Sequence, residues 1–508
     1  MSPLKHKNSQ MTLVRSLPPL EQFLLTFISI VYEPVSTAFL SACLTGAELP
    51  GLPQKIGGDS LETAVSRLRE IGLLNEFNQC PPDLAEQLTR RAAAEGLFAE
   101  LAVLIEQKAP VSYMYGKWST RCRRALRQFR IGLHSSDFDK IDEAAVFLKE
   151  HCREREGADP PAVQIVAEHF DADWFRGLPG SLQFYLLNEI FRHCGKLAVD
   201  YPQVAAFLED EENMTLSEDE RVPFRRMLAG YYLLRDSNKL NRLLAAHPDS
   251  FPGSGFAGSA AFLQGKTDEA LRLFDEDLAL LNKYASPEGS FFFNSNGLFC
   301  IMALLARRTP EDIAAARQAA ALVLSRCQGC SEELSFRFLE VYAVAADGVV
   351  PNLRILTESF AQEERSFNTL TAALVLHWLG VRLPDKLQEG LDALYQKAKK
   401  NGFFWLAMEA AQLLAIADAH RKDMARAAKN LAKKSGSRSL VHLIAPDDES
   451  WEQSLEELIS ITGRARQPEK RSRLAWTVQL AANRLTLAAK EQKKKAGGKW
   501  TKGKGIGL

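Results

Sequence analysis

The chain has 508 residues, 46% of them hydrophobic, and its 63 Lys plus Arg are balanced by 63 Asp plus Glu. That is enough apolar sequence for several buried cores at about 150 residues per domain. The formal net charge of zero excludes a whole-chain attraction to polyanions, so any nucleic-acid contact must come from local patches.

The opening MSPLKHKNSQ has no charged region followed by an unbroken apolar core, and residues 20–44 are interrupted by Glu33 and Pro34, so neither a signal peptide nor a membrane span is expected. Eight scattered cysteines do not make the dense framework of a small secreted domain and fit reduced thiols in a cytoplasm. Leu20, Phe23, Leu24, Phe27, Ile28 and Val31 fall at helical spacing, predicting a first helix that breaks at Glu33-Pro34 and a second from Val35 to Leu44. A third helix starts after Ser60 as N-cap, carries Leu61, Ala64, Val65, Leu68 and Ile71, and closes at Gly72. The stretch from Leu73 to Cys80 reads as extended, giving residues 1–84 a winged-helix-like pattern. Such domains can dock a helix in a DNA major groove, but Ser60 to Ile71 supplies only Arg67 and Arg69 for that task, so packing against protein is the stronger reading.

From Ala85 to Val478 one design repeats: a helix of three or four turns, a short Gly, Asp or Pro break, and another helix. Residues 85–220 read as a helical domain, 221–445 as a degenerate tetratricopeptide-like array, 446–489 as C-terminal helices and 490–508 as a basic tail. The clearest repeat is Gly258 to Leu281, with Gly258 for close helix approach, Gly265 at the turn, and Ala270 and Phe274 as a small and large pair; Asp277 stands where that pattern wants a small residue. Stacked hairpins of this kind bury one face and offer a groove, here expected to take a protein ligand.

Motifs for chemistry are incomplete. Gly265-Lys266-Thr267 resembles the end of a phosphate-binding loop, yet Ala260 stands where that loop needs glycine. Cys327 and Cys330 have the spacing of half a zinc site without a second half. His151-Cys152 and His193-Cys194 are adjacent on predicted helices, so their side chains diverge. The acidic run from Glu209 to Glu220 lacks the alternating ligands and glycine of a calcium loop. No catalytic, cofactor or metal residue is expected.

Three basic features stand out. Lys117, Arg121, Arg123, Arg124, Arg127 and Arg130 lie with Trp118 and Phe129 on one predicted helix, so the cations can meet a phosphate backbone, an acidic partner or neighbouring carboxylates. Lys422, Arg426, Lys429, Lys433, Lys434 and Arg438 recur at roughly one-turn spacing and read as a solvated face. The closing EQKKKAGGKWTKGKGIGL places Lys493, Lys494, Lys495, Lys499, Lys502 and Lys504 around Trp500, which suits either a segment near phosphates or a solvated tail.

A resemblance joins these segments. The opening LPPLEQFLLTFISIVYEPVSTAFLSACL, the segment WSTRCRRALRQFRIGLHSSDFDKIDEA, FDADWFRGLP at Phe170 to Pro179 and the close from RLAWTVQL onward together resemble the N-terminal half of large bacterial Swi/Snf-type DEAD/DEAH-box ATPases. In that family the joint to the motor carries an Arg-Leu-x-Trp stretch, then Glu-Gln-Lys and Gly-Lys-Trp-x-Lys-Gly segments, matched here at Arg473 to Trp476, Glu491 to Lys493 and Gly498 to Gly503. The motor's phosphate loop, acidic box and arginine finger are absent from this chain. The resemblance implies a cytoplasmic, non-enzymatic accessory region that serves a motor domain or polypeptide and double-stranded DNA; a stand-alone helical-repeat adaptor for a protein partner is the rival reading. The expected fold is all-α, a winged-helix-like domain followed by a tetratricopeptide-like superhelix.

Overall fold

A computed structural model describes residues 10–44, 49, 52, 56–111, 117–152, 159–210, 216–284, 290–326, 332–349, 366–418 and 421–443. It is all-helical, and among the described residues no strand occurs. The chain divides into two compact units, Met1–Ile190 with Tyr201–Thr215, and Phe191–Asp200 with Leu216–Leu508. The second unit thus begins at Phe191 and resumes at Leu216.

The first unit contains α1 (Pro19–Val31), α2 (Thr37–Leu44), α3 (Gly58–Glu70), α4 (Pro82–Ala94), α5 (Phe98–Lys108), α6 (Trp118–Ser135), α7 (Phe138–His151), the short α8 (Ala172–Arg176) and the first part of α9 (Gly180–Leu197); α10 (Pro202–Glu209) also belongs to it. Helix α1 is apolar on nearly every side and sits in the middle, against α3, α4, α5 and α6. It stops at Tyr32, which adopts a left-handed backbone (φ 54°), and Pro34 disfavours helical backbone at the Glu33 that follows. The stretch expected to be extended before Cys80 is instead a tight turn: Asn75 N–H donates to the Gln79 carbonyl at 3.0 Å. Asn78, at φ 55°, donates from its amide to the Val35 carbonyl (2.6 Å) and accepts from Arg69 Nε (2.7 Å), pinning the turn to the α1–α2 connection. These short-range bonds satisfy the backbone without a partner strand.

The second unit holds the end of α9, α11 (Glu218–Leu233), α12 (Ser237–Ala246), α13 (Phe256–Leu263), α14 (Thr267–Tyr284), α15 (Ser295–Arg307), α16 (Pro310–Arg326), α17 (Glu333–Ala346), α18 (Ser366–Trp378), α19 (Asp385–Lys400), α20 (Phe404–Ala417), α21 (Lys422–Ser435) and the single turn α22 (Leu440–Leu443). Consecutive helices pack as hairpins, and α13, α15 and α17, like α18 and α20, also touch every second helix. Sequence explains the two layers. Helices α13, α15, α18 and α20 are buried nearly all round, while α14, α19 and α21 bury one stripe and expose a charged face. Phe262, Phe299, Phe367 and Trp405 join the inner helices through ring contacts of 5.4–6.5 Å.

Within α13 and α14, Gly258 lets the helices approach: a Cβ there would lie 2.7 Å from the Phe274 ring. Asp277, which departs from the expected small residue, accepts the N–H groups of Gly253 and Gly255 at 2.7 Å each and so holds the turn leading into α13. The first residues of the unit also meet the turn between α19 and α20. Arg235 stacks between Tyr231 (4.4 Å) and Phe403 (4.5 Å), and the Asn401 amide donates to the Ala198 carbonyl (2.8 Å).

Candidate nucleic-acid interface

The six cations expected to face phosphate on α6 have different fates. Lys117, at the N-cap, and Arg123 are exposed. Arg121 lies half-buried with its guanidinium 5.2 Å over the Phe147 ring. Arg124 donates to the Pro110 carbonyl (3.0 Å) and approaches Glu33 at 3.4 Å. Arg127 is fully buried, paired with Glu33 at 2.8 Å and bonded to the Ala109 carbonyl. Arg130 is 1% exposed and meets Glu86 (2.8 Å), the Ser29 carbonyl (2.9 Å) and the Thr89 hydroxyl (3.1 Å) while stacking 3.8 Å over Tyr32.

Arg124, Arg127 and Arg130 thus correct the phosphate-facing expectation. They turn toward Glu33, just after α1, and Glu86 of α4, which are themselves buried, and the buried charges of Arg127 and Arg130 are stable there only because they are paired and hydrogen-bonded. The same centre explains His134. Burial, followed by the nearby Arg130 and Arg90 guanidinium groups, pushes its imidazole down to about 3, so it is neutral and packs between Phe98 and Trp174 at 5.3 and 5.6 Å.

A second correction concerns the thiols. Cys122 of α6 and Cys152, at the C-cap of α7, form a disulfide with Cα atoms 6.1 Å apart, so the expectation of uniformly reduced cysteines fails for this pair. Cys43, Cys80, Cys194 and Cys300 are not in disulfides. Cys327, Cys330 and the basic tail, with Lys493, Lys494, Lys495, Lys499, Trp500, Lys502 and Lys504, lie outside the described residues. Among the described residues no three His, Cys, Asp or Glu side chains converge as a metal site, and no helix is long and apolar enough to cross a membrane.

The basic run passed over as a solvated face is the one the fold leaves open. On α21, Ala428, Leu431 and Ser435 are buried against α20, which turns Lys422, Arg426, Lys429 and Lys433 outward, all exposed. At 3.6 residues per turn their spacing confines them to an arc of about 60° along about 16 Å of helix. Among the described residues no carboxylate pairs with any of the four. Asp423 is the single acid on this helix, and Arg421 just before it is taken up by Asp392 at 3.1 Å.

A strap after α21 fixes its position. The Arg438 N–H donates to the Leu263 carbonyl (2.7 Å), and the Ser437 hydroxyl lies 2.5 Å from that of Ser237. The Glu409 carboxyl, wholly buried on α20, accepts the Leu440 N–H at 2.7 Å and the Ser439 hydroxyl at 2.9 Å, capping α22. Burial, opposed by these donors, raises Glu409 from 4.5 to about 7. Because the folded value exceeds the unfolded one, stability from this group is full below pH 4.5 and is lost as pH rises through 7. At 1.36 kcal/mol per unit the loss is about 3 kcal/mol. Glu409→Gln should therefore gain on the parent by about that amount between pH 5 and pH 8 in urea unfolding; a constant difference across that range would refute the buried carboxyl's role.

No family model, no curated protein and no solved structure matches this chain.

Proposed function

We propose that this chain is a non-catalytic helical scaffold, an accessory region of the kind that precedes a bacterial Swi/Snf-type DNA-dependent motor. The observation that carries the scaffold reading is the two-layer hairpin array of the second unit, in which apolar inner helices support amphipathic outer ones with charged faces. The pairing of Gly258 with Phe274, the left-handed Gly265 turn (φ 79°) and the buried Ala270 support a tetratricopeptide-like character for α13–α14. The link to a motor rests on the resemblance of the segments quoted above, including the Lys/Gly/Trp close. Helices α1–α3 serve as a packing module for α4 and α6; a winged-helix relation rests on their order alone.

The test is ATP hydrolysis. The chain alone should turn over no ATP, and its addition to a Swi/Snf-type motor polypeptide from the same genome should change that motor's duplex-stimulated rate. An unchanged rate with no association by light scattering would overturn the motor connection and favour the stand-alone adaptor, whose surface would be the same outer helices.

A further inference from the structure

We infer that the outer face of α21 is a docking surface for the phosphate backbone of a nucleic-acid duplex. Helix α6 shows what this fold does with cations that serve its own stability: Glu33, just after α1, and Glu86 of α4 meet Arg124, Arg127 and Arg130 at 2.8–3.4 Å, and the last two arginines are buried. Among the described residues Lys422, Arg426, Lys429 and Lys433 on α21 receive no such partner, although α20 and the strap hold the helix from behind. Four like charges along one stripe repel one another, a cost that an anion laid along the stripe removes.

Further lysines stand near the C-terminal end of α21. Helices α19 and α21 each pack antiparallel to α20, so their C-termini lie together, as Lys434 Nζ 5.4 Å over the Phe404 ring shows. Exposed Lys399 and Lys400 close α19 at that end.

The chemistry of the face selects the occupant. A protein partner is anchored by large apolar or aromatic groups at the centre of its interface, and α21 exposes none. A single strand is held by aromatic side chains on which bases stack, and the stripe has none of these either. A duplex backbone asks only for cations in register with phosphates, and it repays them by counterion release. This deepens the accessory-region reading, since a scaffold that touches the duplex would tether a motor to its track, but the surface is tested without a motor.

The experiment is fluorescence anisotropy of the full chain with 20-bp DNA and RNA duplexes over a salt series. The variant is Lys422→Gln, Arg426→Gln, Lys429→Gln and Lys433→Gln together, with its unfolding curve compared with the parent's. A second variant carries Gln at the six tail lysines from Lys493 to Lys504. Removal of four phosphate contacts should flatten the slope of log K against log salt by about 3.6 for B-DNA. The tail variant should keep the α21 contribution, and the two duplexes distinguish DNA from RNA as the source of the phosphates. A slope unchanged in the folded α21 variant overturns the inference and leaves the motor reading standing, as would binding to poly-glutamate without binding to either duplex, which would mark an acidic protein as the occupant.

Discussion

Arg130→Ala is expected to destabilise the first unit by about 3–5 kcal/mol, the usual cost of removing one partner from a buried ion pair. The loss would come less from the missing attraction than from what remains. Glu86, 1% exposed, would keep its charge with no cation at 2.8 Å, and the Ser29 carbonyl and Thr89 hydroxyl would lose their donor. The Tyr32 ring would also lose the guanidinium stacked on it, and that residue forms the left-handed end of α1. Urea unfolding followed by far-ultraviolet circular dichroism measures the effect. A companion Arg130→Met, Glu86→Leu variant should recover most of the loss, because apolar side chains of similar volume leave no orphan charge. A cost below about 1 kcal/mol for Arg130→Ala would mean that the pair is solvated and that α6 is free to present this arginine elsewhere.

Replacing Cys122 and Cys152 together by alanine should cost about 3–4 kcal/mol, the chain-entropy value for a link spanning 30 residues. The bridge closes the α6–α7 hairpin at the end remote from its loop, and both cysteines are buried beside Ala125, Phe147 and Leu148. The parent protein in reductant should approach the double variant in midpoint, and the variant itself should not respond to reductant. A parent midpoint that reductant leaves unmoved, with two titratable thiols in the unfolded chain at these positions, would show that the pair is reduced in solution. Loss of this link would loosen α6 at its N-terminal half, where Lys117 and Arg123 are exposed, without touching the ion pairs of Arg127 and Arg130 farther along.

The helices themselves were legible in the residues. Leu20 to Val31 at helical spacing, the proline after Glu33, and the glycine and alanine pattern of Gly258 to Phe274 each express forces that act within a few residues, namely backbone hydrogen bonding, burial of one face and restriction of φ. Those forces determine the all-helical class and the approximate ends of α1, α3, α13 and α14. The same local logic could not rank the two basic helices. Arg127 finds Glu33 across 94 positions of sequence and Arg130 finds Glu86 across 44, and an ion pair depends on separation in space and on burial, neither of which a cation's own neighbours encode. On the sequence alone α6 looked the better phosphate binder because it is denser in arginine. Tertiary packing decided otherwise: it turned Arg127 and Arg130 into the core, brought Cys122 to Cys152, and left the α21 stripe facing outward with no carboxylate paired to it among the described residues.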